Sequence, residues 1–214
     1  MKINLIKIFL FTFCLCTQSV FAGYPKHWWA TVSDDQVPSW EILPDAGKPG
    51  ETLILSKRNE LGILSNFAST PIFFEGKIYA SLEGAWQSMK YPENKNDRRY
   101  GGDTLPFSRT DVEKMTGFEA KRAGSLASRL MKKHKVNYVT YKQRKYTYRT
   151  KQKGEHYQLI KRMMRAKLEQ NREVKKVLQS TGKLILLPDH QSPGKFIPPA
   201  WKYYDIWMEL RKTL

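Results

Sequence analysis

The sequence predicts an α+β fold, predominantly helical, in a single compact domain with a small β element and an N-terminal extended arm. Three observations point there. Two long segments, 119–133 and 155–180, place apolar residues at helical spacing, whereas the apolar runs of strand type are only three or four residues long and end at turn residues. The tract from Gly23 to about Pro49 carries Pro, Trp and Asp with neither period. Aromatic residues make up 13% of the 214-residue chain, too many for a disordered one.

Residues 1–22 hold Lys2 and Lys7, an apolar run from Ile8 to Leu15 with Thr12 its one polar residue, and Val20-Phe21-Ala22 with small residues at the −3 and −1 positions. Charge, length and exit predict a secretory signal peptide cleaved after Ala22, and so a periplasmic or secreted protein. The run falls short of the ~20 apolar residues of a membrane span. Large residues, Phe13 and Leu15, precede Cys14 and Cys16, against a lipidated cysteine. The two cysteines both lie in this leader, so disulfides and thiolate metal sites are excluded from the rest, which is expected to be a monomer held by its core.

Residues 23–50 form the arm, with Trp28, Trp29 and Trp40 expected to pack on the main body, and 51–214 the domain. Thr52 to Leu55 is a candidate first strand. Ile72-Phe73-Phe74 and Lys77-Ile78-Tyr79 make a hairpin turning at Glu75-Gly76. Ser81 then caps a helix reaching Tyr91, on which Glu83, Gln87 and Lys90 share one stripe at i, i+4 and i+7. Leu82, Ala85, Trp86 and Met89 occupy the neighbouring face. The loop 92–106 ends this helix, and a short one follows around Asp111 to Met115. Glu119 to Lys133 buries Ala123, Leu126, Ala127, Leu130 and Met131.

Tyr138 to Tyr148 alternates tyrosine and valine with polar residues and contains Lys142, Arg144 and Lys145. It reads either as a tyrosine-rich hairpin with a solvated basic face or as a holder of single-stranded nucleic acid by stacking and phosphate contacts. Glu155 to Ser180 is the longest helix, with Ile160, Met163, Met164, Leu168, Val174, Val177 and Leu178 buried, and Gly182 suits its C-terminal cap. Leu184 to Leu187 is a buried strand, and Tyr204 to Leu214 a closing amphipathic helix. There is no internal repeat.

The formal net charge is +17, from 37 basic and 20 acidic residues. Such a balance favours anionic partners: nucleic acid, phosphorylated metabolites or anionic lipid. No Gly-rich phosphate loop, HExxH or nucleophile elbow is present. The four histidines lack ligand spacing, so no metal and no cofactor is expected.

Leu64-Ser65-Asn66-Phe67, Glu75-Gly76-Lys77 and Glu83…Gln87…Lys90-Tyr91 together resemble the NADAR family. Glu119-Ala120-Lys121…Gly124, Arg165-Ala166-Lys167…Gln170-Asn171, Thr181-Gly182 and Trp207-Met208-Glu209-Leu210-Arg211 are similar to further family segments, in order, over residues 57–211. Characterised members include an N-glycosidase of phosphorylated riboflavin-pathway intermediates, and others remove ADP-ribose from nucleobases. The resemblance implies a related fold and activity. Two departures stand out. Gly84 replaces a histidine that often follows the acid, and Pro198-Pro199-Ala200-Trp201 stands where members carry a WG.G…G.N.LG segment. The acid carries over; the identity of the substrate does not.

Breaking a C1′–N bond passes through an oxocarbenium-like state, which a carboxylate stabilises while an acid protonates the leaving nitrogen. Glu83 is the candidate carboxylate, with Asp189 or His190 as second group. Lys90 is expected to depress the Glu83 pKa. Lys90, Lys57 and Arg58 are candidate phosphate ligands, although Lys57-Arg58 reads equally as a solvated turn. Asn66 and Gln87 are candidate hydrogen-bonding groups, and Phe67 and Trp86 candidate walls. Three functions compete: an N-glycosidase acting on a phosphorylated riboside or ADP-ribosyl adduct, a non-catalytic binder of ADP-ribose-like ligands, and a basic protein binding nucleic acid weakly and without sequence preference.

Overall fold

The computed structural model describes residues 23–33, 37–190 and 196–214; the expected signal peptide lies outside the described residues. The architecture is α+β. Among the described residues, six helices, α1 (Leu82–Ser88), α2 (Arg109–Glu113), α3 (Gly117–Lys133), α4 (Glu155–Gln170), α5 (Arg172–Ser180) and α6 (Tyr203–Arg211), pack around three two-stranded ladders.

The first ladder pairs β1 (Thr52–Ile54) in parallel with β6 (Ile185–Leu187), Leu53 opposite Leu186. Parallel pairing puts the two exits at the same end, so Lys57 after β1 and Asp189-His190 after β6 emerge side by side. The apolar run 184–187 predicts a fully buried strand. Leu184 and Leu186 are buried, but Ile185 is 52% exposed, because β6 has a partner on one edge and core on one face only.

The other ladders are hairpins. β2 (Ile72–Phe74) and β3 (Lys77–Tyr79) turn at Glu75-Gly76, and β4 (Tyr138–Tyr141) and β5 (Arg144–Thr147) at Lys142-Gln143. All four turn residues have positive φ, the geometry that matches strand twist in a two-residue hairpin loop. Tyr141, Tyr146 and Tyr148 are buried in the main core, while Lys142, Arg144 and Lys145 face outward. The tyrosines thus pack inward and the basic face is the solvated one.

The segment 155–180 is two helices, not one. Asn171 is extended (φ −120°), and its side-chain amide donates to Lys167 O at 2.9 Å, closing α4 before α5 begins. A short amide side chain competes with the helical backbone in just this way. The core-facing residues expected along both pieces are buried.

The arm is less uniform than expected. Trp28 is 1% exposed, inside the main core, and its Nε1 donates to Glu60 Oε1 at 2.7 Å; Trp29 Nε1 donates to Thr52 O at 2.8 Å. Trp40 remains 42% exposed. Among the described residues, no helix is long and apolar enough to cross a membrane.

Candidate functional site

Helix α1 is fixed at both ends. Ser81 Oγ accepts from Gly84 N and donates to Met115 O, both at 2.9 Å, and Glu83 N donates to Asn66 O at 2.9 Å. A Cβ on Gly84 would lie 2.5 Å from Met115 O and 2.9 Å from Val112 O, so α2 sits against α1 too closely for any side chain there. That accounts for the glycine after the acid. At the other end the free carbonyls meet cations and hydroxyls, as a helix C-terminus favours. Arg99 donates to Met89 O at 3.2 Å, Arg109 to Tyr91 O at 3.2 Å, and Tyr100 OH to Lys90 O.

The stripe of α1 faces inward, onto a cavity of about 540 Å³. Eight residues expected at the site line it: Glu83, Gln87, Lys90, Lys57, Asn66, Phe67, Trp86 and His190. Arg58 and Asp189 do not. The Arg58 guanidinium turns away and donates to both carboxylate oxygens of Glu41 at 2.8 Å.

Asp189 lies behind the wall. It is 1% exposed, accepts from Lys57 Nζ, meets His190 Nδ1 at 2.9 Å, and receives Tyr203 OH at 3.5 Å. Burial alone would raise its pKa, but the His190 hydrogen bond and the Lys57 ammonium overcome that and hold it below 3.8. An ionised Asp189 requires the proton on His190 Nδ1, which leaves Nε2 as the second nitrogen of a ring that lines the cavity.

Glu83 departs from expectation. It is 6% exposed, and burial raises its pKa above 4.5 despite the Gln87 hydrogen bond and the charges of Lys90, Lys121 and His190. Desolvation outweighs the cations because the Lys90 ammonium is engaged elsewhere. Its Nζ donates to Ser128 Oγ at 2.9 Å and lies 5.4 Å from the Tyr148 ring centroid. Gln87 Nε2 donates to Glu83 Oε1 at 2.7 Å. Asn66 Oδ1, Gln87 Oε1, Trp86 Nε1 and Trp201 Nε1, all on lining residues, are buried without a hydrogen-bond partner.

The sequence reading missed much of the charge. Lys121 and Arg129 from α3 and Arg149 after β5 also line the cavity, so five Lys or Arg side chains surround one carboxylate. Lys57 and Lys121 stand 5.3 and 5.7 Å from the Phe67 centroid, and Arg149 stands 5.2 Å from that of Trp201. Trp40, Phe118, Trp201 and Tyr203 complete the aromatic walls. Lys167 was missed too. It is fully buried, its Nζ donates to Ser65 O at 2.9 Å, and burial lowers its pKa to about 7. With Trp207 Nε1 on Leu64 O at 2.7 Å, it pins the loop that carries Asn66 and Phe67. Among the described residues, no group of three or more His, Cys, Asp or Glu is placed to hold a metal ion.

No family model matches the chain, and no curated protein matches it. Among solved structures it is similar to the NMR structure of the Escherichia coli protein YbiA, at 18% identity and a TM-score of 0.46, covering 76% of this chain and 84% of that one.

Proposed function

We propose that the protein is an N-glycosidase that hydrolyses the C1′–N bond of a phosphorylated riboside or an ADP-ribosyl adduct. The observation that carries this reading is Glu83, the only carboxylate among the described residues lining a cavity ringed by Lys57, Lys90, Lys121, Arg129 and Arg149. One buried acid among many cations suits an anionic sugar with a single reacting centre. The motif resemblance over residues 57–211 supports the same chemistry.

In this reading the ring of cations binds phosphate. Glu83, ionised in the presence of substrate, stabilises positive charge at C1′ and takes a proton from the attacking water. Burial makes it a stronger base than a surface glutamate. The water oxygen bonds to C1′ as the C1′–N bond breaks, and its proton passes to Glu83. His190, entering the step with protons on both Nδ1 (held by Asp189) and Nε2, gives the Nε2 proton to the leaving nitrogen. The proton on Glu83 is afterwards returned to the imidazole ring through solvent. Asn66, with a free buried oxygen, accepts from sugar or base hydroxyl and amine groups.

The test is to incubate the purified protein with riboside phosphates, NAD, ADP-ribose and ADP-ribosylated guanosine, and to look for a free base and a reducing sugar by chromatography. Glu83→Gln is expected to lower turnover at least about a hundredfold with affinity retained. Lys90→Ala is expected to weaken binding more than it slows chemistry. Wild-type protein that binds a ligand of this set and never releases a base would instead make it a non-catalytic binder.

A further inference from the structure

The backbone that carries His190 is held from outside the β1–β6 ladder. The last bond that β1 and its exit give to this stretch runs from Leu55 N to Leu187 O at 2.9 Å. Pro188 follows and has no N–H to offer. At Asp189 the backbone carbonyl accepts instead from Ile42 N of the arm at 2.8 Å, and Glu41 stands opposite His190 in an antiparallel bridge. The arm segment is itself fastened. Glu41 N donates to Pro38 O at 2.9 Å, closing a turn, and the Glu41 carboxylate accepts two bonds of 2.8 Å from the Arg58 guanidinium. The Glu41 side chain is only 8% exposed, so a nearly buried charge is answered at both oxygens by one planar fork. Lys57, the residue before, bonds the Asp189 carboxylate. Two adjacent cations after β1 thus grip two carboxylates, one on each strand of the bridge.

We propose that Glu41, Ile42 and Arg58 are positioning residues, which fasten the Asp189-His190 backbone so that the His190 ring keeps Nδ1 on Asp189 and Nε2 free for the cavity. None of the three lines the cavity, so each acts through His190 and not on the ligand. The Asp189 carboxylate can hold the imidazole in one orientation only if the two α-carbons are fixed relative to each other and to β1. A carboxylate–imidazole bond on a loose backbone would let the ring turn and present either nitrogen. The pairing with the arm supplies that fixity at the two residues concerned, and the Arg58 fork ties the arm to the exit of β1. Glu41 and Ile42 stand outside the segments that resemble the NADAR family, so the arm adds this support to the site from beyond them. It also gives Arg58 a role beside Lys57 that needs no contact with ligand.

The proposal rests on the reading of His190 as proton donor, and the test separates the two. Long-range proton–nitrogen NMR correlation reads which ring nitrogen of His190 carries the proton at alkaline pH, where imidazole is neutral. The wild type is expected to carry it on Nδ1. Glu41→Ala removes the carboxylate that Arg58 holds, and Ile42→Pro removes the N–H that Asp189 O accepts. Both are expected to move the proton toward Nε2, the nitrogen that an unrestrained histidine side chain favours. In the glycosidase assay both are expected to lower kcat at least about fivefold, part of the range for general acid catalysis, with KM kept within about twofold. Circular dichroism checks the fold. Glu41→Gln, which keeps the shape and one bond to Arg58, is expected to shift the proton the same way by less, and it stands in where alanine or proline unfolds the arm. A proton that stays on Nδ1 in the folded variants, or that is not on Nδ1 in the wild type, overturns the role of the arm and leaves the Glu83 chemistry standing. A moved proton with unchanged kcat overturns it as well. A moved proton in a protein that never releases a base keeps the arm as the holder of His190 and overturns the glycosidase reading.

Discussion

Gly124 and Gln87 approach so closely that a Cβ on the glycine would stand 1.7 Å from Gln87 Oε1 and 2.2 Å from its Cδ. Gln87 holds Glu83 in turn, so a backbone position on α3 sets the orientation of the acid on α1.

Gly124→Ala therefore has opposing effects. Alanine in a helix interior is worth about 1 kcal/mol over glycine, while forcing a methyl group into packed space costs about 1–3 kcal/mol. We expect a small change in stability together with at least a tenfold fall in kcat, because the displaced amide releases the carboxylate. Denaturant melts and steady-state kinetics measure the two separately, and wild-type kcat in a folded variant would contradict the Gln87–Glu83 linkage.

Glu83 is held at a cost to the fold. Its folded pKa lies above its unfolded value near 4.5, so the native state binds the extra proton, and stability falls as pH rises from about 4.5 through the raised value. Glu83→Gln, with no charge to desolvate, should be more stable than the wild type at pH 7. The difference should vanish below pH 4.5. Chemical denaturation across pH 4 to 8 tests this, and a variant that is less stable at neutral pH would refute it.

Asp189 slopes the other way. Its pKa is held below 3.8, so its contribution is present above that value and lost as pH falls through the lowered one. Asp189→Asn leaves Lys57 and His190 without their counter-charge. Removing one partner of a fully buried pair costs about 3–5 kcal/mol, and Lys57 is partly solvated, so about 1–3 kcal/mol is expected at pH 7. The loss should shrink toward pH 3. The neutral amide no longer dictates the His190 proton position, so kcat should fall along with stability. Unchanged kcat would remove His190 from proton transfer.

Lys167 supplies a third pH signature. Burial lowers its pKa from 10.5 to about 7, so the native state opposes protonation and stability rises between pH 7 and 10.5. Lys167→Met should flatten that rise. It also removes the donor to Ser65 O, so the Asn66-Phe67 loop should loosen and KM should increase. Hydrogen exchange at residues 65–67 reads this directly; unaltered protection there would show that Lys167 does not restrain the loop.

What the sequence revealed follows the range of each interaction. Glu83, Gln87 and Lys90 were legible because helical period alone puts them on one stripe. Lys57 and Arg58 were not separable, since both stand in one turn after β1 and nothing local says which side chain points inward. Lys121, Arg129, Arg149 and Trp201 reach the cavity from other elements and carry no local mark of it. Lys167 did carry one. It falls three residues after Met164 and just before Leu168, on the apolar stripe of α4, where a lysine is anomalous. The sign of the Glu83 shift was misjudged because sequence spacing gives the nearby charge but not the depth of burial that outweighs it.

The parallel pairing of β1 with β6 also governs when the site exists. Lys57 leaves one strand and His190 the other, and register partners Thr52 and Ile185 belong to opposite ends of the chain. Such a long-range contact forms late, after loop closure over most of the polypeptide. A nascent chain that has emerged only through α3 already carries Glu83, Gln87 and Lys90, yet it lacks the facing wall of His190, Trp201 and Tyr203. The cavity is thus completed only when α6, which brings Tyr203, has been made.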